Sequence, residues 1–252
     1  MQEPSALGRI VALVRDLRAR CPWDAAQTSQ TLRPYLVEEV MELDHAIASG
    51  DADHIRTELG DLLLHLAFQI VLAEERGEFG SDDVTRTIEH KMWRRHPHLF
   101  QQGSAPESWE RSKLNHEDAQ GSVLDGLPPT LPALVMALRL QERAAGVGFD
   151  WPNAAGPQQK VREEIAELDA ELGGARDQER VAQEIGDLLF AVVNLARKVG
   201  CDPRAALEQA NTRFRDRFAA VERLAAERGI DVAAAGLDVL DRLWDEVKQL
   251  GD

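Results

Sequence analysis

The chain is poor in cysteine. Cys21 and Cys201 are its only two, and no C-x-x-C brings thiols together, so neither a disulfide framework nor a zinc knuckle is written here. Long apolar runs are missing as well. No segment approaches the roughly 18 uninterrupted apolar residues of a membrane span. The opening MQEPSALGRIVALVRDLRAR carries charges through its apolar residues and does not read as a signal peptide. Positive charge is scarce: 29 Lys and Arg stand against 44 Asp and Glu, a net charge of -15. That balance disfavours a broad nucleic-acid or anionic-membrane footprint, although a few local cations can still hold a small anion. Alternating strand-like runs bounded by turns are absent, and so is a Walker glycine loop. These absences lead us to expect a reduced, soluble, cytoplasmic protein that binds neither nucleic-acid polymers nor membranes.

Helical periodicity runs through nearly the whole chain. Leu36, Val40, Leu43 and Ile47 recur at i, i+4, i+7 and i+11, one stripe of an α-helix. Gly and Pro punctuate the pattern, and the Pro-rich stretch 126–132 is the best break between two halves. The halves repeat each other. VALVRDLRARCPWD (11–24) has the grammar of LVMALRLQERAAGVGFDW (134–151). EEVMEL (38–43) returns as EEIAEL (163–168), and ELGD (58–61) as EIGD (184–187), each leading into an apolar helix. KMWRR (91–95) is answered by RFRDR (213–217), and WERSK (109–113) by WDEVK (244–248). So many features in one order imply internal duplication, with modules at 1–120 and 121–252.

The acidic words carry chemistry. Glu39 and Glu42 share a helix face, with Glu38 beside them; Glu58 and Asp61 share a face on the next helix, and Glu164, Glu167, Glu184 and Asp187 repeat the arrangement. The runs after Asp61 and Asp187 are apolar almost all round and are expected to be buried. Crowding four carboxylates beside a core costs several kcal/mol per unpaired ion in order of magnitude. A divalent cation offsets that cost, and an oxygen-only ligand set selects Mg²⁺ or Mn²⁺. Gly60 and Gly186, each just before the Asp, would let a neighbouring helix or ligand come close. A lone acidic pair on a helix is usually a solvated face; the coupling of two such words, written twice, argues against that here. A di-iron bundle would need E-x-x-H on two helices. Glu42 and His45 fit once, but Ala170 replaces the histidine after Glu167, so His45 is assigned to a polar face.

Cations follow. Lys91 and Arg95, and likewise Arg213 and Arg217, are one helical turn apart and suit either a phosphate chain or surface ion pairs. Trp109 with Lys113, and Trp244 with Lys248, offer either a ring for a base and a cation for phosphate, or a packed helix end. Lys160, one turn before Glu164, has Tyr35 as its counterpart in the first half.

CPWD, EEVMELDHAI, ELGDLLLHLAF, KMWRRHPHLF, GVGFDW, EEIAEL and EIGDLLFAVVNLAR together resemble the MazG family of nucleoside triphosphate pyrophosphohydrolases, over essentially the whole chain. The resemblance implies an all-α fold of two tandem four-helix-type modules, a homodimer, and Mg²⁺-dependent hydrolysis of nucleoside triphosphates to monophosphate and pyrophosphate with broad base tolerance. ATP and non-standard or oxidised nucleotides fall within that substrate class. It implies metal ligation by Glu164, Glu167, Glu184 and Asp187, and nucleotide contacts from Lys160, Arg180, Arg213, Arg217, Trp244 and Lys248. The first half keeps the acids Glu39, Glu42, Glu58 and Asp61, with Lys91, Arg95, Trp109 and Lys113, but its Tyr35 shifts the main catalytic site to the second half. Glu163, or Glu38 in the first half, is the candidate for accepting a proton from the attacking water. The alternative is a sensor that binds nucleotide and metal without turnover.

Overall fold

The computed structural model describes residues 5–100, 122–174 and 177–250. The expected module boundary at 120/121, and with it Trp109 and Lys113, lies outside the described residues. The chain divides into two compact units, Met1–Pro106 and Glu107–Asp252. Every regular element among the described residues is an α-helix.

In the first unit, α1 (Ala6–Arg20) starts at Ser5, whose hydroxyl accepts from the Gly8 N–H. A short α2 (Pro22–Ala25) follows, then α3 (Ser29–Ser49), α4 (Ala52–Glu75), α5 (Ser81–Arg95) and α6 (Pro97–Phe100). Thr28 and Thr31 form a reciprocal cap at the start of α3. Gly50, at φ 72°, ends that helix, and the Asp51 carboxylate caps α4 one residue later. A two-residue reversal of this kind, Gly50 and Asp51, folds α3 and α4 into a hairpin. Val11 and Val14 of α1, Leu32 of α3, and Ala67, Phe68, Ile70, Val71 and Leu72 of α4 form the core. Arg15 to Glu74 and Arg18 to Glu75, both at 2.7 Å, fasten α1 to the end of α4.

In the second unit, α7 (Ala133–Gly146), α8 (Ala155–Gly173), α9 (Gln178–Lys198), α10 (Pro203–Glu227) and α11 (Leu237–Leu250) repeat the plan. Asp177 and Asp202 cap α9 and α10 with their carboxylates. The hairpin α8–α9 corresponds to α3–α4, and α7 packs on α9. A separate core of Val221, Ala225 and Leu243 joins α10 to α11, with Trp244 packed against it.

The stripe on α3 is helical as expected, and Val40 and Ile47 on it are exposed. The expected burial of the run after Asp187 needs correcting. The run on α9 buries Ala191, Val193 and Asn194, whereas Leu189 is 57% and Phe190 43% exposed. Apolar periodicity reports that a face will be covered by something; it does not say that the cover comes from the same unit.

Candidate functional site

The packing of α8 on α9 brings EEIAEL opposite EIGD. Carboxylate oxygens of Glu164, Glu184 and Asp187 lie within 4.8 Å of one another. Glu167 shares a second such group with Glu163 and Glu164, so Glu164 belongs to both. It is 3% exposed and has one charged partner close by: Lys160 Nζ stands 2.6 Å from Glu164 Oε1 and 2.6 Å from Glu163 Oε1. The two carboxylates, Glu163 first, hold the Lys160 ammonium above its ordinary pKa. Loss of hydration, reinforced by the charge of Glu164, raises the Glu167 carboxyl, and Lys160 opposes this. The chain's own cation thus partly offsets the crowding that the sequence implies.

Beside these acids is a cleft of about 450 Å³ whose walls include Lys160, Glu164 and Asp187 together with Leu140, Phe149, Trp151 and Phe190. Asp150 anchors the segment before α8: Arg197 donates to it at 2.6 Å and Lys198 at 2.7 Å. That pairing, chiefly with Arg197, lowers the Asp150 carboxyl to a pKa of about 2.

The other second-half candidates do not line this cleft. Arg180 pairs with Glu171 at 3.5 Å near the α8–α9 turn. Arg213 and Arg217 lie on α10, Arg213 exposed and Arg217 half-buried. Trp244 packs with a ring-centroid distance of 5.3 Å against Phe214 and joins the α10–α11 core, while Lys248 is exposed one turn on. The packing reading of Trp244 therefore applies within a single chain.

The first unit repeats the acidic part with differences. Glu39, Glu58 and Asp61 offer carboxylate oxygens within 4.8 Å of one another. Burial, then repulsion from Asp61, Glu42 and Glu58, raises the Glu39 carboxyl. Glu42 and Glu38 line a cleft of about 390 Å³ with Glu58, His45 and His54; His45 is exposed, as a polar-face residue should be. In place of the lysine, Tyr35 stacks on His65 with ring centroids 6.5 Å apart, and His65 Nε2 is 3.7 Å from Glu39 Oε1. Burial lowers the His65 pKa against the pull of Asp61, which favours a neutral ring. Lys91 is half-buried and Arg95 buried on α5.

Among the described residues no neighbouring helix comes close to Gly60 or Gly186: a Cβ at either position would meet open space. Of the described glycines, Gly156 has the closest neighbour: a Cβ there would stand 2.0 Å from the Trp151 Cδ1. Sequence reading also missed His65, Gln141 and the Asp150 anchor. His65 had a signal, sitting one turn after Asp61; Gln141, inside an apolar helix with no repeated counterpart, had none.

The comparisons agree with the repeated acidic geometry. The model of the MazG nucleotide pyrophosphohydrolase domain matches residues 27–100. A nucleoside triphosphate pyrophosphohydrolase of Escherichia coli K12 is 42% identical over 258 residues, covering 99% of this chain and 98% of that protein. The nucleoside triphosphate pyrophosphohydrolase/pyrophosphatase MazG of Thermotoga maritima is 39% identical, covering 95% of this chain and 94% of its own length. The uncharacterized protein YabN of Bacillus subtilis is 40% identical over 94% of this chain and half of itself. With all-α tandem units, two carboxylate clusters on equivalent hairpins and relatives matched from end to end, the chain belongs to the MazG family of nucleoside triphosphate pyrophosphohydrolases.

Proposed function

We propose that the chain hydrolyses nucleoside triphosphates, ribo- and deoxyribo- alike and including ATP and non-standard or oxidised forms, to the monophosphate and pyrophosphate. Mg²⁺ is the cofactor, with Mn²⁺ as a substitute. The observation that carries this reading is the convergence of Glu164, Glu184 and Asp187 beside a cleft that also holds Lys160, in a chain whose full-length relatives are named for this reaction. The donor set fits a hard divalent ion: it is all carboxylate, it is crowded, and it already draws in an ammonium group. Glu164, Glu184, Asp187 and Glu167 would hold the ion, which when bound neutralises polyphosphate charge and acts as a Lewis acid towards the attacking water.

The chain's residues supply the remaining steps. Glu163, exposed at the edge of the cluster, accepts the water's proton as the α–β phosphoanhydride breaks and pyrophosphate leaves. Lys160 exchanges its carboxylate partners for the phosphates. Exposed Leu189 and Phe190 favour a homodimer, whose second copy would bring Arg180, Arg213, Arg217, Trp244 and Lys248 towards the triphosphate; a purely monomeric sedimentation profile would remove that part. The two free thiols suit a reducing cytoplasm, and no helix among the described residues is long and apolar enough to cross a membrane.

In the first unit the ring pair Tyr35–His65 stands where the second has Lys160. This favours a metal-holding site with weak triphosphate capture, the sensor-like reading confined to one module. Chromatography of products tests the main reading. ATP with Mg²⁺ should give AMP and pyrophosphate, and a chelator should stop the reaction; ADP as the main product, or full turnover in chelator, would contradict it.

A further inference from the structure

Gln141 projects from α7 into the wall of the 450 Å³ cleft and is only 5% exposed. Its Nε2 donates to the Phe190 carbonyl at 2.8 Å, which fixes the way the amide faces. Its Oε1 is buried and has no hydrogen-bond partner among the described residues. A buried amide oxygen left unpaired is costly, and such atoms are few in folded proteins. In a cleft that also carries the acids of the hydrolytic site, the missing partner is most simply a donor on the ligand.

The walls around it suit a flat apolar ring. Trp151 lies against Gly156, and only a residue without a Cβ admits the indole there. The neighbouring Asp150 is tied down by Arg197 and Lys198, so Trp151 is braced on both sides. An indole held in place beside an open cleft is a stacking platform for a nucleobase.

We propose that the nucleobase of the substrate enters this cleft against Trp151 and that Gln141 Oε1 accepts an N–H from its Watson–Crick edge. This rests on reading the site as a nucleotide site. Adenine and cytosine present an exocyclic amine at that edge; guanine, hypoxanthine, uracil and thymine present a ring N–H. A single acceptor therefore admits every common base and rejects a ring that has no donor there. Gln141 is the residue that demands a base while tolerating its identity.

The test compares AMP with purine riboside monophosphate, which lacks the 6-amino group, by titration calorimetry on wild type, Gln141→Leu and Gly156→Ala; pyrophosphate release from ATP is followed in parallel. Wild type should bind AMP about 10-fold or more tightly than the analogue, in keeping with loss of one buried hydrogen bond. In Gln141→Leu that preference should vanish. Gly156→Ala, which displaces Trp151, should weaken both ligands by a similar factor. Equal affinity of wild type for the two ligands, or a preference that persists in a folded Gln141→Leu, overturns the assignment. If Gln141→Leu does not fold, the wild-type comparison decides alone. Base discrimination in binding without pyrophosphate release would uphold the pocket while removing the hydrolase reading.

Discussion

At the scale of residues, the second site differs from the first by a small number of side chains around a common acidic cluster. Lys160 is held by Glu163 and Glu164, and its counterpart Tyr35 stacks on His65, whose pKa burial lowers. A lysine can follow charge from carboxylates to phosphates; a phenol cannot. Asp150 does different work, bracing the segment that carries Trp151. Its pKa falls from 3.8 unfolded to about 2 folded, so its pairing stabilises the protein above the unfolded value and is lost as pH falls through the folded one. Asp150→Asn should therefore lower stability by about 1–2 kcal/mol at neutral pH, allowing for partial exposure. The gap to wild type should shrink below roughly pH 4; urea unfolding at several pH values checks this, and a pH-independent gap would remove the account. The acids could be read from sequence because their spacing is repeated and the helix period makes them converge. Gln141 and Asp150 could not, because each acts through a partner tens of residues away, Phe190 and Arg197, and no local pattern records that; for His65 the place one turn after Asp61 was a local signal, but its approach to Glu39 was not.

At the scale of elements, helical periodicity and the Gly and Pro breaks made the fold legible, Gly50 among them at a helix end with positive φ; the caps at Thr28, Asp51, Asp177 and Asp202 emerged only from the structure. The coverage of each face was harder to read. Gly186 sits inside α9 with open space over it, so Gly186→Ala should stabilise the folded chain by about 0.5–1 kcal/mol through backbone entropy and helix propensity. If substrate or a second copy packs on that face, the same variant should lose turnover while gaining melting temperature. A variant that gains neither stability nor a turnover defect would leave the glycine unexplained. The exposed Leu189 and Phe190 on the same helix make the loss of turnover the expected result.

At the scale of the whole molecule, duplication produced two equivalent hairpins that have diverged in chemistry. Both retain three converging carboxylates, so both can hold a cation. Among the described residues, the second adds an ammonium group within reach, a braced indole and a buried acceptor in one cleft. The tandem plan was legible from the repeated words; the difference between the two clusters was legible only in part, through Tyr35, because the rest of it depends on which side chains the hairpin packs together. The account stands or falls on the asymmetry between the modules, measured as pyrophosphate release from ATP and Mg²⁺ by folded Asp187→Asn and Asp61→Asn. Each amide keeps the shape and removes one ligand charge. Asp187→Asn should lose most turnover, on the order of 100-fold, as expected for a ligand whose loss costs about 3 kcal/mol in the transition state, and Asp61→Asn should retain much of it. Equal and near-complete loss in both folded variants would contradict the account.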